Sequence, residues 1–469
     1  MILSQTTVKV DGWLVAIDRL AGGSLTLLSL WADPPEVKMA TLDEASGDIN
    51  IITYVCRHNQ YPTVGVKHPP AIRLERAIRD LHRLDAIGAS DTRPWLAHTA
   101  APYEFLGAEG EALHQIAVGP VHAGIIEPGH FRFTANGEFL VRLEEQLGYV
   151  HKGIEALMAG APLDKATKLA ARASGDSTVA YGFAFALAAE MALKVAAPPR
   201  AIYLRALMAE MERLANHFGD IGAICNDASF SLMHAQCGIL RELTLRAAET
   251  CFGHRLMMDV IVPGGVARDI CEDGVTQLRV LLAEVRRVFP HLTALYDNTA
   301  SLQDRTVTTG IVKPEYARQF GAGGYIGRAS GRDFDARRRP GYAPYDTLKF
   351  DVPVLTAGDV NARVWIRIRE VEQSLGLVEQ IIDSLPDGAI MSDRPATGAG
   401  EGFAMTEAFR GDVLVWLRLD DSGHVARCHL RDASWFQWPL LETAVEGNIV
   451  ADFPLCNKSF NCSYAGHDL

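Results

Sequence analysis

The chain predicts an α+β fold: a small mixed-sheet N-terminal domain, then a large domain whose helical bundle is framed by antiparallel strands. Three observations carry this. Residues 1 to about 60 alternate apolar and polar side chains between Gly and Asp turns, the middle of the chain repeats apolar residues at helical spacing, and the C-terminal part returns to alternation. At 469 residues the chain exceeds one ordinary core, and 48% hydrophobic with 22% charged residues is a globular composition.

In chain order, Trp13-Leu-Val-Ala-Ile and Ile49-Asn-Ile-Ile-Thr-Tyr are expected as strands of the small sheet. Pro69-Pro-Ala-Ile-Arg-Leu-Glu-Arg-Ala-Ile-Arg-Asp-Leu then predicts a helix, with proline in the first turn where its missing N–H is harmless. Residues 97 to 112 are rich in Ala, Gly and Glu, which places a linker at 101–112 between a domain of residues 1–100 and one of 113–469. The second domain opens on strands joined by tight turns from Ile116, and helices are expected over Phe139–Met158, Ser177–Ala196, Ala201–Ala223 and Gly238–Phe252. A strand-rich tail closes the chain, with a hairpin from Gly411 turned at Asp421-Ser-Gly.

The net charge of −12 argues against nucleic acid or an anionic lipid surface as the main partner. Arg337-Arg-Arg-Pro, with Arg328 and Arg332, lacks interleaved stacking aromatics and is expected as a solvated loop or a subunit contact. No run of about 18 apolar residues occurs and no basic segment precedes an apolar one at Met1, so a cytoplasmic location is expected. Eight scattered cysteines without a Cys-x-x-Cys read as mostly buried apolar thiols. Gly321-Ala-Gly-Gly-Tyr-Ile-Gly reads as backbone turning rather than a nucleotide loop.

Several motifs agree in order with one large family: Gly119-Pro-Val-His-Ala-Gly-Ile-Ile-Glu-Pro-Gly-His-Phe-Arg, Leu147-Gly-Tyr-Val-His-Lys-Gly-Ile-Glu, Glu210-Met-Glu-Arg-Leu-Ala-Asn-His, Pro263-Gly-Gly-Val, Gly327-Arg-Ala-Ser-Gly-Arg-Asp and Arg431-Asp-Ala-Ser-Trp-Phe-Gln-Trp-Pro. On these, residues 113–469 resemble the large subunits of group 4 membrane-bound nickel-iron hydrogenases and the 49-kDa subunit of complex I. The N-terminal part, through Thr92-Arg-Pro-Trp-Leu, is similar to the end of the complex I 30-kDa subunit.

The resemblance implies a set of site residues. Arg172-Ala-Ser-Gly-Asp-Ser is similar to the Arg-x-Cys-Gly-x-Cys stretch whose thiolates, with a second pair near the C-terminus, hold nickel and iron, so Ser174 and Ser177 fall at the first pair. A serine hydroxyl is a hard, neutral oxygen and cannot replace a soft bridging thiolate. Asp452-Phe-Pro-Leu-Cys456 is matched to the second pair, leaving Cys456 with Ser459, and a shifted register would enlist Cys462. No nickel-iron centre is expected, with Cys456 and Cys462 the only residual metal candidates. Glu127 takes the place of a proton-passing glutamate, with capping of a turn or pairing to Arg132 as the structural alternative, and Arg172 is expected to pair with a carboxylate such as Asp176.

The quinone-site histidine pair is reduced to His122, because the headgroup position falls on Ile126, and Tyr181 lies near the loop without matching the quinone tyrosine. Helix-borne His151 and His217 read as core or interface residues. The implied protein is the large subunit of a membrane-associated redox complex, peripheral on the cytoplasmic face. It would bind no cofactor itself, would dock on an iron-sulfur small subunit and ion-pumping membrane subunits, and could meet a quinone. The alternatives are a non-catalytic organiser of such a complex and, behind it, an active hydrogenase component.

Overall fold

The computed structural model describes residues 3–96, 102–122, 126–393 and 398–469. Its first unit is β1 (Leu3–Val8), α1 (Val10–Ala21), β2 (Thr26–Asp33), β3 (Glu36–Asp43) and β4 (Asp48–Val55). They form a mixed sheet in the order β1-β4-β3-β2, with β1 parallel to β4 and the other pairs antiparallel. The stretch at Trp13 is a helix, not the strand expected. Trp13, Ala16, Ile17 and Leu20 are buried at three- and four-residue spacing, while Leu14 and Val15 point outward, so the apolar run is a helical stripe.

Short strands β5 (Gln60–Pro62) and β6 (Asp85–Ile87) pair in parallel around α2 (Ile72–His82), whose Leu74 and Ile78 are buried. A 3₁₀ turn at Pro69–Ala71 leads into α2, where the proline signal places it. Residues 102–109 carry no regular element, and 97–101 of the expected linker region lie outside the described residues.

The second part opens with an antiparallel meander, β7 (Leu113–Val118), β8 (His130–Asn136) and β9 (Phe139–Gln146). The helix expected from Phe139 therefore starts only at α3 (Ile154–Met158). Asn136-Gly137, with Gly137 at φ +59°, turns the chain back on β8, and the exposed Phe139 and Val141 flank the buried Leu140 in strand alternation.

After α4 (Leu163–Ala170), the bundle is built by α5 (Thr178–Leu193), α6 (Pro199–Asp227) and α7 (Ser231–Phe252), close to the expected spans. A two-residue hairpin, β10 (Ile261–Val262) and β11 (Gly265–Val266), precedes α8 (Gly274–Asn298) and the short α9 (Ala300–Thr306), α10 (Pro314–Gln319) and α11 (Gly324–Ala329). The long α12 (Val360–Asp383) completes the bundle. The antiparallel sheet β12 (Gly400–Ala408), β13 (Gly411–Leu419) and β14 (Val425–Arg431) lies on α5, and its second hairpin is the one expected from Gly411. The tail ends in helices rather than strands: α13 (Ser434–Ala444), α14 (Phe453–Phe460) and α15 (Tyr464–Asp468). No helix among the described residues is long and apolar enough to cross a membrane.

The bundle interior carries charge. Glu210 of α6 accepts hydrogen bonds from Tyr345 (2.7 Å), Ser374 (2.6 Å), Arg337 (3.0 Å) and Arg213 (3.2 Å). Arg328 donates to Glu370 at 2.6 Å and Glu407 at 2.8 Å, and His217 Nε2 lies 2.7 Å from Glu370. The expectation of a solvated basic loop is thus overturned for Arg328, Arg332 and Arg337, which are all buried. Each finds carboxylate or carbonyl acceptors inside: Arg337 pairs with Asp335 at 2.7 Å, and Arg332 donates to the Ala322 carbonyl at 2.8 Å. The glycine run turns backbone as expected. Gly324, at φ +60°, packs so close that a Cβ would lie 2.0 Å from the Arg410 carbonyl oxygen, which fixes the turn that presents Arg410.

Candidate functional site

The loop between α4 and α5 carries Ser174, Asp176 and Ser177, and it is closed by the β12–β13 turn and the chain around α15. Asp176 is the hinge of the arrangement. Arg410 grips its carboxylate with both terminal nitrogens, Nη1 to Oδ1 at 2.7 Å and Nη2 to Oδ2 at 2.5 Å, the two-pronged geometry that suits guanidinium to carboxylate. Arg410 Nη1 also donates to Ser177 Oγ at 3.3 Å, and its Nε donates to the Asn461 carbonyl. Ser174 Oγ donates to Asp176 at 2.9 Å and lies 2.8 Å from Ser463 Oγ. Burial alone would raise the Asp176 carboxyl, but the Arg410 charge and the hydrogen bonds from Arg410 and Ser174 hold it below the ordinary carboxylate value.

These groups line a cavity of about 550 Å³ together with His122, Glu127, Asp227, Lys458, Cys462 and Tyr464. His122 stacks on Phe131 at 5.4 Å, and its Nε2 lies 3.4 Å from the Tyr464 hydroxyl. Burial lowers its pKa, which keeps the ring neutral near pH 7, and its Nδ1 is buried without a hydrogen-bond partner among the described residues. Glu127 accepts the Ala465 N–H at 3.0 Å rather than pairing with Arg132, which lies over the Phe105 ring. His122, Glu127, Ser174 and Asp176 are thus brought together on one cavity.

Arg172 and Tyr181 are not. Arg172 turns outward and forms a two-pronged pair with Asp259 at 2.7 and 2.8 Å, because Arg410 already occupies the carboxylate expected for it. Tyr181 is buried beneath the loop and donates to Asp432 at 2.9 Å. Ser177 reaches the site only through Arg410 and Asp176.

The C-terminal register also changes. Cys456 and Ser459 sit on the face of α14 against α12, where Arg363 Nε donates to Ser459 Oγ at 2.9 Å. Burial pushes the Cys456 thiol up to about 12. Ser463 meets the 174–177 loop instead, through Ser174, and its Oγ accepts the Gly466 N–H at 2.9 Å. A Cβ at Gly466 would lie 2.7 Å from Asp432 Oδ2. Cys462 lines the cavity beside Ser463, with its thiol raised well above the ordinary value by burial. Among the described residues, no three His, Cys, Asp or Glu side chains are arranged to hold a metal ion.

Arg410, Ser463 and Tyr464 escaped the sequence reading. Ser463-x-x-Gly466 repeats the three-residue spacing of the first pair, a signal within the tail, whereas nothing in the sequence pairs Arg410 with Asp176.

Residues 228–398 and 392–468 match the family of the respiratory-chain NADH dehydrogenase 49 Kd subunit. Formate hydrogenlyase subunit 5 of Escherichia coli is 31% identical over 438 residues, covering 87% of this chain and 77% of that protein. The chain belongs to this 49-kDa family. Within it, the carbon monoxide-induced hydrogenase of Rhodospirillum rubrum is 30% identical, covering 74% of this chain and 97% of its own length. An NADH-quinone oxidoreductase subunit of Desulfotalea psychrophila is 30% identical, covering 71% of this chain and 91% of its own. Among solved structures, a chain of the membrane-bound sulfane sulfur reductase, an archaeal respiratory membrane complex, superposes with a TM-score of 0.72 at 25% identity, covering 76% of this chain and 99% of that one. The relatives of this 49-kDa-family chain are therefore subunits of hydrogenase-type and NADH-quinone oxidoreductase-type complexes.

Proposed function

We propose that this chain is the large subunit of a membrane-associated redox complex that holds no nickel-iron centre, and that its 174–463 cavity serves proton transfer or quinone-linked electron transfer. The observation that carries this is the lock across the cavity: Ser174 to Ser463 at 2.8 Å, with Asp176 held by Arg410. The donor set does not fit a soft binuclear metal site. The hydroxyls are hard and neutral, the one charged oxygen donor of the lock is already paired, and the Arg410 guanidinium would oppose a second cation.

The cavity's own residues supply proton chemistry. His122 and Tyr464 present polar ring atoms on one wall, and Glu127 on the same cavity can pass a proton to and from water. A quinone-like acceptor that takes two electrons also takes two protons, and the phenol of Tyr464 and the neutral imidazole of His122 are the donors in reach. The electrons would come from an iron-sulfur cluster in a small partner subunit, and ion-pumping membrane subunits would hold the assembly at the cytoplasmic face. The reading includes residues 1–100 as a 30-kDa-like unit joined through 101–112.

The same lock favours a second reading, in which a self-satisfied cavity leaves a non-catalytic organiser of the complex. Glu127→Gln in the assembled complex separates the two: loss of electron or proton transfer with assembly intact supports catalysis, and unchanged turnover overturns it. Stoichiometric nickel in the complex, made with its maturation partners, would overturn both.

A further inference from the structure

Cys251 stands in the last turn of α7, and Cys271 lies twenty positions on, in the strap that leads into α8. The Cys271 N–H donates to the Cys251 carbonyl at 3.3 Å. Backbones joined in this way stand about 5.5 Å apart at Cα, inside the roughly 4.4–6.8 Å that a disulfide spans. The side chains lie across the same contact. The Cys271 thiol donates to the Thr250 carbonyl at 3.0 Å, and the Cys251 thiol donates at 3.6 Å to the carbonyl of Gly274, whose own N–H bonds back to Cys271. We propose that this pair is an oxidation site, which hydrogen peroxide closes to a reversible disulfide.

The two thiols divide the chemistry between them. Of the eight cysteines Cys271 alone is exposed, so an oxidant reaches it first. Cys251 is 2% exposed, and burial, with Cys271 beside it, pushes its thiol up to about 12, so it stays protonated and reacts only with a sulfur already next to it. Hydrogen peroxide passes one oxygen to the Cys271 sulfur, which becomes a sulfenic acid, and the rest leaves as water. The Cys251 sulfur then attacks that sulfur: its S–H bond and the S–O bond break, the S–S bond forms, and hydroxyl and proton depart together as a second water. Two thiols thereby lose two electrons and two protons, which complete the reduction of the peroxide. Cys225 and Cys237 form another close pair, but both are buried, so the first step has no access there. The bridge closes the segment that carries Asp259, the carboxylate that holds Arg172 at the start of the 174–177 loop.

The test uses the full chain, purified under reductant, treated with hydrogen peroxide, alkylated, and digested without reduction for peptide mass spectrometry. Expected is a cross-linked peptide joining Cys251 to Cys271, two hydrogens lighter than its parts. Two alkylatable thiols are lost and dithiothreitol restores both, while Cys225 and Cys237 stay free throughout. Cys251→Ala should leave Cys271 as a sulfenic acid that dimedone captures, whereas the wild type, once fully oxidised, yields none. Should that variant not fold, the mapping of the wild type decides alone. Dimedone capture at Cys271 of the wild type with Cys251 still free, a cross-link that pairs either residue with any other cysteine, or a Cys251–Cys271 link that forms only after unfolding would each overturn the proposal.

Discussion

Replacing Asp176 by asparagine removes the counter-ion of Arg410, a guanidinium whose side chain is only 5% exposed. The variant keeps the shape and one acceptor oxygen but abolishes the charge that two Arg410 nitrogens grip. Breaking a buried ion pair by removing one partner costs about 3–5 kcal/mol, because the other charge stays buried. The Asp176 side chain is 39% exposed to the cavity, so water can partly solvate what remains, and the lower end applies: about 3 kcal/mol. That is on the order of a hundredfold in the unfolding equilibrium. Denaturant unfolding of the full chain measures it, and the second arm is Asp176→Asn combined with Arg410→Met. Once both charges are gone no uncompensated group is left, so the double variant should recover a large part of the loss. A double variant as unstable as the sum of the two singles would refute the reasoning. The folded carboxyl titrates below its unfolded value, so its contribution is complete above pH ~4 and is lost as the pH falls through the depressed pKa. The stability gap between wild type and Asp176→Asn should therefore close in acid.

Three further outcomes are expected. Gly402→Ala would place a Cβ 1.8 Å from the Ala188 carbonyl oxygen, forcing β12 off α5, and should cost about 3 kcal/mol in thermal unfolding, whereas Gly376→Ala, with open space around its Cβ, should cost nothing. Arg172→Gln breaks only a half-exposed pair with Asp259 and should change stability by under about 1 kcal/mol, with turnover in the complex unaltered. Alkylation of the native protein at pH 8, read by peptide mass spectrometry, should label exposed Cys271 well before buried Cys456, whose thiol is pushed up to about 12.

What the sequence made readable was the periodic and the contiguous. The long helices α5 to α7 and the β13–β14 hairpin stand near their expected places because their apolar spacing persists long enough to be unambiguous. Two errors concerned where helix and strand were placed. Trp13 to Ile17 is too brief to separate alternation from a helical stripe, and the reading of Phe139 to Met158 as one helix passed over Asn136-Gly137, the local signal that reverses the chain. In the site, Ser174, Asp176, Glu127 and His122 were found because motif order fixed them. Arg410 was not, because the sheet turn that carries it to Asp176 joins positions far apart in the chain, and the same tertiary closure gives Ser463 the place expected for Cys456. Arg328 and Arg337 read as surface residues for a related reason: their carboxylate partners are scattered over several elements.

The ionic web around Glu210, Arg328 and Glu370 bears on what the molecule can tolerate. Its members are shielded from solvent, so added electrolyte cannot weaken them as it weakens pairs at the surface. These pairs tie α6, α11 and α12 to one another inside the bundle. Changes of ionic strength should therefore leave the packing of these helices as it is, while they loosen the exposed pairs such as Arg286–Glu379.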